Sequence, residues 1–286
     1  MVLNPLLTSV EIPSGKDKSY ENFPVGSWLL PSHLRPDITT FYEFARAIDD
    51  IADTNTIEAS EKLKRLTGFE NVILGKDTDS LGYEKAHLMR LSLQNNGITP
   101  LHCIELIKAF KQDATKLRYK NWEELINYCQ MSAAPVGRYL LDLHGESNGL
   151  YGASDALCIA LQILNHLQDC KDDYITLNRV YLPQDWMSKF SLNVDCLASP
   201  KSIPQFNSLK TQILDSTGEL ISLAKELPKR LVNKRLAMET GAILNIAVAL
   251  ERKLRRSDPL AETVRLSRTQ FAYGCFFGAI KTLLTH

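Results

Sequence analysis

The stretch Ser154-Asp-Ala-Leu-Cys-Ile-Ala-Leu161-Gln162-Ile-Leu-Asn165-His-Leu-Gln168-Asp169-Cys-Lys-Asp-Asp173-Tyr174 reads as one long helix. It has no internal Gly or Pro, and it is too long for a strand. Leu157, Ile159, Leu161, Ile163, Leu164 and Leu167 make most of its surface apolar. Through that surface runs a polar line, Gln162, Asn165, Asp169, Asp173. The steps are three, four and four residues, which is one face of an α-helix. A helix suited to a core, with one polar stripe ending in two carboxylates, points inward to a ligand.

A second acidic turn stands earlier in the chain. Asp49-Asp-Ile-Ala-Asp53 closes a periodic run from about Ile38 to Thr54 that Pro36-Asp37 introduces. Asp49 and Asp53 share a face with Arg46, three residues before Asp49, and Tyr42 lies one turn further back. Like charges four apart destabilise a helix by about 0.2–0.5 kcal/mol. Carboxylates at a helix C-terminus also meet the negative end of the macrodipole. Both helices are expected to carry both penalties, so a cation should offset them. Mg²⁺ suits oxygen ligands shared between a few carboxylates and substrate phosphates. Two such helices facing each other are expected to bind a diphosphate and draw charge onto it as its carbon–oxygen bond breaks. The plainer alternative is a pair of solvated acidic helix ends.

Helical patterns dominate the rest. Residues 1–37 read as irregular, with five prolines. Helices are expected near 38–54, 58–74, 83–95, 99–116, 122–145, 154–174, 209–227, 230–254 and 259–283, with a kink at Pro135 and Gly137. A polar loop is expected at 76–82 and an irregular stretch at 175–208. No repeat, low-complexity tract or composition shift marks a linker, so the expectation is one all-α domain over 1–286 with almost no strand.

The 286 residues carry a formal net charge of +0, with 44% hydrophobic and 23% charged residues. That balance gives no basic face for nucleic acid. None of the six cysteines has Cys-x-x-Cys spacing, which excludes the common zinc and redox motifs. Met1 to Lys18 lacks the pattern of a secretory signal, and no apolar run reaches about 18 residues. A cytoplasmic protein is expected, with peripheral contact at the inner membrane left open. There is no Gly-x-Gly-x-x-Gly and no P-loop.

These motifs together resemble the squalene/phytoene synthase family. The resemblance covers most of the chain. It rests on Glu21-Asn-Phe-Pro-Val-Gly-Ser27 with Leu29-Leu-Pro31, and on Phe41-Tyr-Glu-Phe-Ala-Arg46-Ala-Ile-Asp49-Asp-Ile-Ala-Asp53. It continues through Tyr128-Cys129 to Val136-Gly137, Leu161 to Tyr174, and Asn178-Arg-Val-Tyr-Leu-Pro183. It implies an isoprenoid synthase-type helical bundle around a central apolar cavity. It also implies two or three Mg²⁺ ions on Asp49, Asp53, Asp169 and Asp173, the catalytic carboxylates. Arg46, Gln162 and Asn165 match positions near the diphosphate, and Tyr128 matches a cavity residue. Tyr42 and Gln168 join them as substrate-binding candidates.

Within the family the motif wording is most similar to bacterial hydroxysqualene synthases of hopanoid biosynthesis. That implies a carbon–oxygen lyase converting presqualene diphosphate to hydroxysqualene and diphosphate, with no NADPH. Neighbouring pathway enzymes would supply the one and consume the other. One departure bears on this reading. Phytoene and dehydrosqualene synthases commonly carry an arginine where this chain has Gln168, and losing a cation there fits a substrate with one diphosphate. A condensing prenyltransferase and a non-catalytic binding factor are the alternatives, the latter disfavoured by four intact carboxylates. Arg252, Arg255 and Arg265 are left unassigned. Phe23, Phe41, Phe44, Tyr128, Phe271, Tyr273, Phe276 and Phe277 read mostly as core, with some able to line the cavity. His166 is expected to pack rather than ligate. Lys253, Arg255 and Arg256 form a basic helix end.

Overall fold

Pro36 occupies the first turn of the first long helix, where its missing N–H costs no hydrogen bond. A computed structural model describes residues 10, 11, 13, 29–78 and 81–285. Helix α1 spans Arg35–Asp53. The expected irregular segment 1–37 is therefore already helical at Arg35, because proline is tolerated there rather than breaking the run. The Glu21 to Ser27 stretch and Phe23 lie outside the described residues.

The chain divides into two compact units, Met1–Thr115 and Lys116–His286. In the first, α1 packs against α2 (Ala59–Ile73), α3 (Glu84–Asn96) and α4 (Leu101–Asp113). The apolar faces of the four helices meet in a core containing Phe44, Ile48, Ile51, Leu66, Phe69 and Met89, all fully buried. Phe41 and Phe44 belong to this core. The rings of Phe44 and Phe69 lie 6.1 Å apart. Lys111 of α4 reaches Glu70 of α2 at 2.5 Å.

The second unit is built around α7 (Tyr151–Gln168), which packs on α5 (Trp122–Ser132), α6 (Ala134–Leu143), α10 (Pro204–Ala224) and α12 (Lys234–Arg256). Burying each of its large aliphatic side chains contributes about 1.5–3 kcal/mol. The helix expected over 122–145 is two helices. They separate at Ala133 (φ −126°, ψ −45°), and Pro135 sits in the first turn of α6. Gly137 is no kink: a Cβ there would lie 2.8 Å from Cys158 Sγ and collide with the Ser154 hydroxyl. It lets α6 and α7 approach closely. Beside it, Arg138 grips Asp155 with two hydrogen bonds of 2.9 and 2.7 Å.

The stretch 175–208, expected to be irregular, holds short regular pieces. The parallel pair β1 (Arg118–Tyr119) and β2 (Val180–Pro183) is the only sheet among the described residues. Helix α9 (Gln184–Lys189) follows, and Trp186 stacks on Trp122 with centroids 4.9 Å apart. Helix α10 begins at Pro204, five residues before its expected start. The run expected over 230–254 is α12, which begins at Lys234, and the short α11 (Leu227–Arg230) lies between it and α10. The last helix, α13 (Arg268–Thr285), starts nine residues later than the periodicity predicts. Asp258 explains the delay. Its carboxylate accepts from the amides of Ser202 at 2.7 Å and Leu260 at 3.0 Å and from the Ser202 hydroxyl, which holds the chain in a turn. Among the described residues no helix is long and apolar enough to cross a membrane.

Candidate active site

Tyr42, Arg46, Asp49 and Asp53 follow one another along α1, as their spacing requires. Arg46 Nη1 donates to Asp49 Oδ2 at 2.7 Å and lies 3.9 Å from Asp50 Oδ1. The guanidinium thus stands between two carboxylates and offsets part of their repulsion within the helix itself. Asp49 and Asp53 are half-buried, whereas Asp50 is only 7% exposed. The C-terminal carbonyls of α1 receive a cation from a neighbour. Lys62 of α2 donates from Nζ to the Ala52 carbonyl at 2.8 Å, where a positive charge suits the helix dipole.

On α7, Gln162 and Asn165 are half-buried, as are Asp169 and Asp173 beyond its end. Leu161 before them and Ile163, Leu164 and Leu167 between them are buried. The stripe is therefore the open line on a helix that otherwise lies in the core, with 12 of its 18 residues buried. The long helix expected over 154–174 is interrupted at Asp169 (φ −100°, ψ 7°), which ends α7 and precedes α8 (Cys170–Leu177). Backbone bonding runs through the bend: Asp169 donates to Asn165 at 2.9 Å, and Asp173 donates to Asp169 at 2.8 Å. The i,i+4 relation of the two aspartates survives. Their electrostatics change, because Asp172 and Asp173 now lie in the first turn of α8, where the dipole favours carboxylates. Of this second pair, only Asp169 still stands at a helix C-terminus.

Behind the stripe stands an aromatic cluster. His166 is buried and stacks on Tyr181 of β2 with centroids 3.8 Å apart and planes 12° apart. Tyr128, only 2% exposed, lies 5.4 Å from Tyr181 and 5.1 Å from Tyr119. Burial pushes the His166 imidazole down to about 3, and the buried Arg179 acts in the same direction. His166 is therefore neutral, and its Nε2 lies 3.1 Å from Gln162 Nε2. A neutral ring nitrogen that accepts there takes an amide hydrogen of Gln162 and orients that side chain.

The segment after α8 has a physical reason for each residue. Asn178 closes the helix in the left-handed region (φ 52°), which Asn tolerates better than most residues. Arg118 holds it there, donating to its side-chain oxygen at 2.7 Å and also to its carbonyl. Arg179 then donates from its backbone to Asp173 at 3.1 Å, and Tyr181 delivers the ring that covers His166.

Gln168 is turned away from the stripe. It is 7% exposed, and its amide nitrogen donates to the Val264 carbonyl in the non-helical segment 257–267. Lys171 reaches the same segment at Leu260 O, 2.7 Å, and also Ser199 O, 3.1 Å. The two residues flanking Asp169 and Cys170 thus strap that segment to the second motif. Arg255 pairs with Glu251 at 2.5 Å and Asp215 at 2.8 Å, and Lys253 Nζ donates to Arg265 O. The basic helix end is thus largely engaged within the chain. Tyr273, Phe276 and Phe277, expected in the core or a cavity, are exposed.

Among the described residues no group of three or more His, Cys, Asp and Glu side chains forms a metal-holding arrangement. Each motif carries one pair of hard oxygen donors, Asp49 with Asp53 and Asp169 with Asp173. That donor set fits Mg²⁺, which commonly takes one or two carboxylates and completes its shell with phosphate oxygens and water.

Residues 16–270 match the family described as squalene/phytoene synthase. The chain belongs to the squalene/phytoene synthase family. It is 41% identical to hydroxysqualene synthase of Rhodopseudomonas palustris, covering 95% of this chain and 92% of that one. It is 42% identical to hydroxysqualene synthase of Sinorhizobium fredii, covering 86% and 84%. Among solved structures it resembles squalene synthase HpnC from Alicyclobacillus acidocaldarius, with a TM-score of 0.71, 27% identity and coverage of 83% and 89%. A dehydrosqualene synthase shares the fold at a TM-score of 0.77 and 19% identity, covering 94% of each chain.

In this member of the family, local spacing located the two aspartate pairs but not their supports. Lys62, Arg118, Arg179 and Tyr181 come from other elements. Residue spacing relates side chains within one helix only. Asn178 and Tyr181 lie within the Asn178 to Pro183 motif, and the asparagine before Arg179 is the available signal for a left-handed turn.

Proposed function

We propose that this enzyme converts presqualene diphosphate to hydroxysqualene and diphosphate, as a carbon–oxygen lyase that needs Mg²⁺ and no NADPH. The observation that carries the reading is the similarity to named hydroxysqualene synthases over nearly their whole length. The two units act as one catalytic domain in this reading, and neighbouring enzymes supply the diphosphate and take up the alcohol.

We assign Asp49, Asp53, Asp169 and Asp173 to metal binding. Mg²⁺ bound there would supply the positive charge that makes diphosphate a good leaving group. Arg46, held by Asp49, adds a fixed positive charge where negative charge develops on the departing oxygens. The carbon–oxygen bond breaks with its electron pair leaving on diphosphate. Gln162 and Asn165 are neutral and can both donate and accept. They orient a diphosphate oxygen or the water that adds to the rearranged cation and then loses a proton. His166 keeps the Gln162 amide in place, and because it is neutral it adds no charge that would repel the cation. Tyr128, packed between Tyr119 and Tyr181, backs the ring that covers His166, and Tyr42 contacts the substrate from α1. Gln168 contributes indirectly, by strapping segment 257–267 beside Asp169.

The test is an incubation with Mg²⁺ and either presqualene diphosphate or farnesyl diphosphate, without NADPH, followed by product identification. Hydroxysqualene from presqualene diphosphate is the expected result. Efficient coupling of farnesyl diphosphate, with presqualene diphosphate left untouched, would instead establish a condensing transferase.

A further inference from the structure

Helix α13 inverts the usual order of inside and outside. Its buried positions include Gly274, Gly278, Ala279 and Thr282. A Cβ on Gly278 would lie 2.7 Å from Ala242 Cα, so the small face is pressed against the backbone of α12. The large residues point the other way. Tyr273 is 62% exposed, Phe276 61%, Phe277 47%, Leu283 52% and Leu284 80%. With the half-buried Ile280 they fall within an arc of about 120° on the helix, opposite the glycines. Among the described residues no other helix exposes more than two large apolar side chains. The outer rings also touch one another, Tyr273 to Phe277 at 4.1 Å and Phe276 to Phe277 at 5.7 Å. A preassembled apolar surface of this kind marks an interaction site.

Charge identifies the occupant. From Thr263 to the end of the chain there is no Asp or Glu, while Arg265, Arg268 and Lys281 are exposed. A second copy docking face to face would set these cations against themselves. An anionic lipid surface complements them, and it accepts aromatic and leucine side chains at the boundary of headgroups and acyl chains. The helix is too short and too polar at its start to span a bilayer, but it can lie flat in the interface.

We propose that α13 docks the protein onto an anionic bilayer surface, with Tyr273, Phe276, Phe277, Ile280, Leu283 and Leu284 entering the interface and Arg265, Arg268 and Lys281 meeting the headgroups. The full-length protein should sediment with phosphatidylcholine vesicles containing phosphatidylglycerol, less with phosphatidylcholine alone, and less as salt rises. The double variant Phe276→Ser/Phe277→Ser should lose binding by at least about tenfold, and Arg268→Glu/Lys281→Glu should lose the preference for phosphatidylglycerol. Leu284→Trp, a single exposed change, gives a second readout in folded protein, since its added emission should be quenched by brominated lipid. The assay contains neither Mg²⁺ nor prenyl diphosphate, so its outcome is separate from that of the reaction proposed above. Wild-type protein that stays in the supernatant with anionic vesicles overturns the proposal. So does added emission in Leu284→Trp that brominated lipid leaves unquenched, or a dimer in solution that Phe276→Ser/Phe277→Ser converts to monomer.

Discussion

Replacing Gly278 by alanine should destabilise the second unit, while the same change at Gly274, one turn earlier, should not. A Cβ on Gly278 would stand 2.7 Å from Ala242 Cα and 2.8 Å from the Gly241 carbonyl carbon, and closer still to the Gly241 carbonyl oxygen. Carbon atoms touch comfortably at about 3.5 Å, so the helices would have to part by roughly 0.8 Å. All three obstacles are backbone atoms, which cannot rotate aside. Overpacking of this kind costs about 1–3 kcal/mol, against which alanine regains about 1 kcal/mol of helix propensity. At Gly274 the nearest atoms to a new Cβ are Ile246 Cγ1 at 3.5 Å and Asn245 Nδ2 at 3.9 Å, ordinary contacts. There the propensity gain stands nearly alone. The two variants should therefore shift the midpoint of thermal unfolding in opposite directions, by about 2–4 °C per kcal/mol for a unit of this size. Circular dichroism at 222 nm would follow the loss of helix. Equal shifts in the two variants would show that α12 and α13 do not meet through the Gly241–Gly278 contact, and the inverted placement of the aromatic face would lose its basis.

Asp49→Asn and Asp169→Asn should each lower Mg²⁺-dependent turnover by at least about 10²-fold, with thermal stability little changed, since a partly exposed ion pair such as Arg46–Asp49 contributes only about 0–1 kcal/mol; an active variant would remove that residue from the metal site. His166 contributes a pH dependence of stability. Its ordinary value is 6.5 and its folded value about 3, so between those limits only the unfolded chain takes up the proton, and stability falls as pH falls. The loss from pH 7 to pH 5 comes to about 2 kcal/mol. Denaturant titrations of wild type and His166→Phe at both pH values should differ by that amount, with Arg179, Gln162, Tyr128 and Tyr181 unchanged around the ring; parallel pH profiles would contradict it. Gln168→Leu keeps the volume but leaves the Val264 carbonyl without this donor, and should cost about 1–3 kcal/mol. It should also release segment 257–267 to faster amide hydrogen exchange, and unchanged exchange there would show that the strap is held by other contacts.

Periodicity alone made the chain an all-helical protein and placed each aspartate pair on one helix face. It did so because side chains three and four residues apart must share a face whatever surrounds the helix. The stripe Gln162, Asn165, Asp169 and Asp173 was legible for that reason, and the structure leaves all four half-buried, the first three between buried neighbours. The family was legible too, since its motifs are local runs. What required tertiary structure were the features whose causes lie far along the chain. The bend at Asp169, which turns an unfavourable dipole for Asp173 into a favourable one, comes with a segment strapped by Gln168 and Lys171 to residues some 90 positions away. His166 is neutral because Tyr181, from a strand, covers it. The orientation of α13 shows the division most clearly. Its sequence offers glycines on one side and aromatics on the other, and hydrophobicity alone would turn the aromatics inward. The backbone of α12 at Gly241 and Ala242 leaves room only for glycine, so steric fit outweighs hydrophobicity and sends the rings outward.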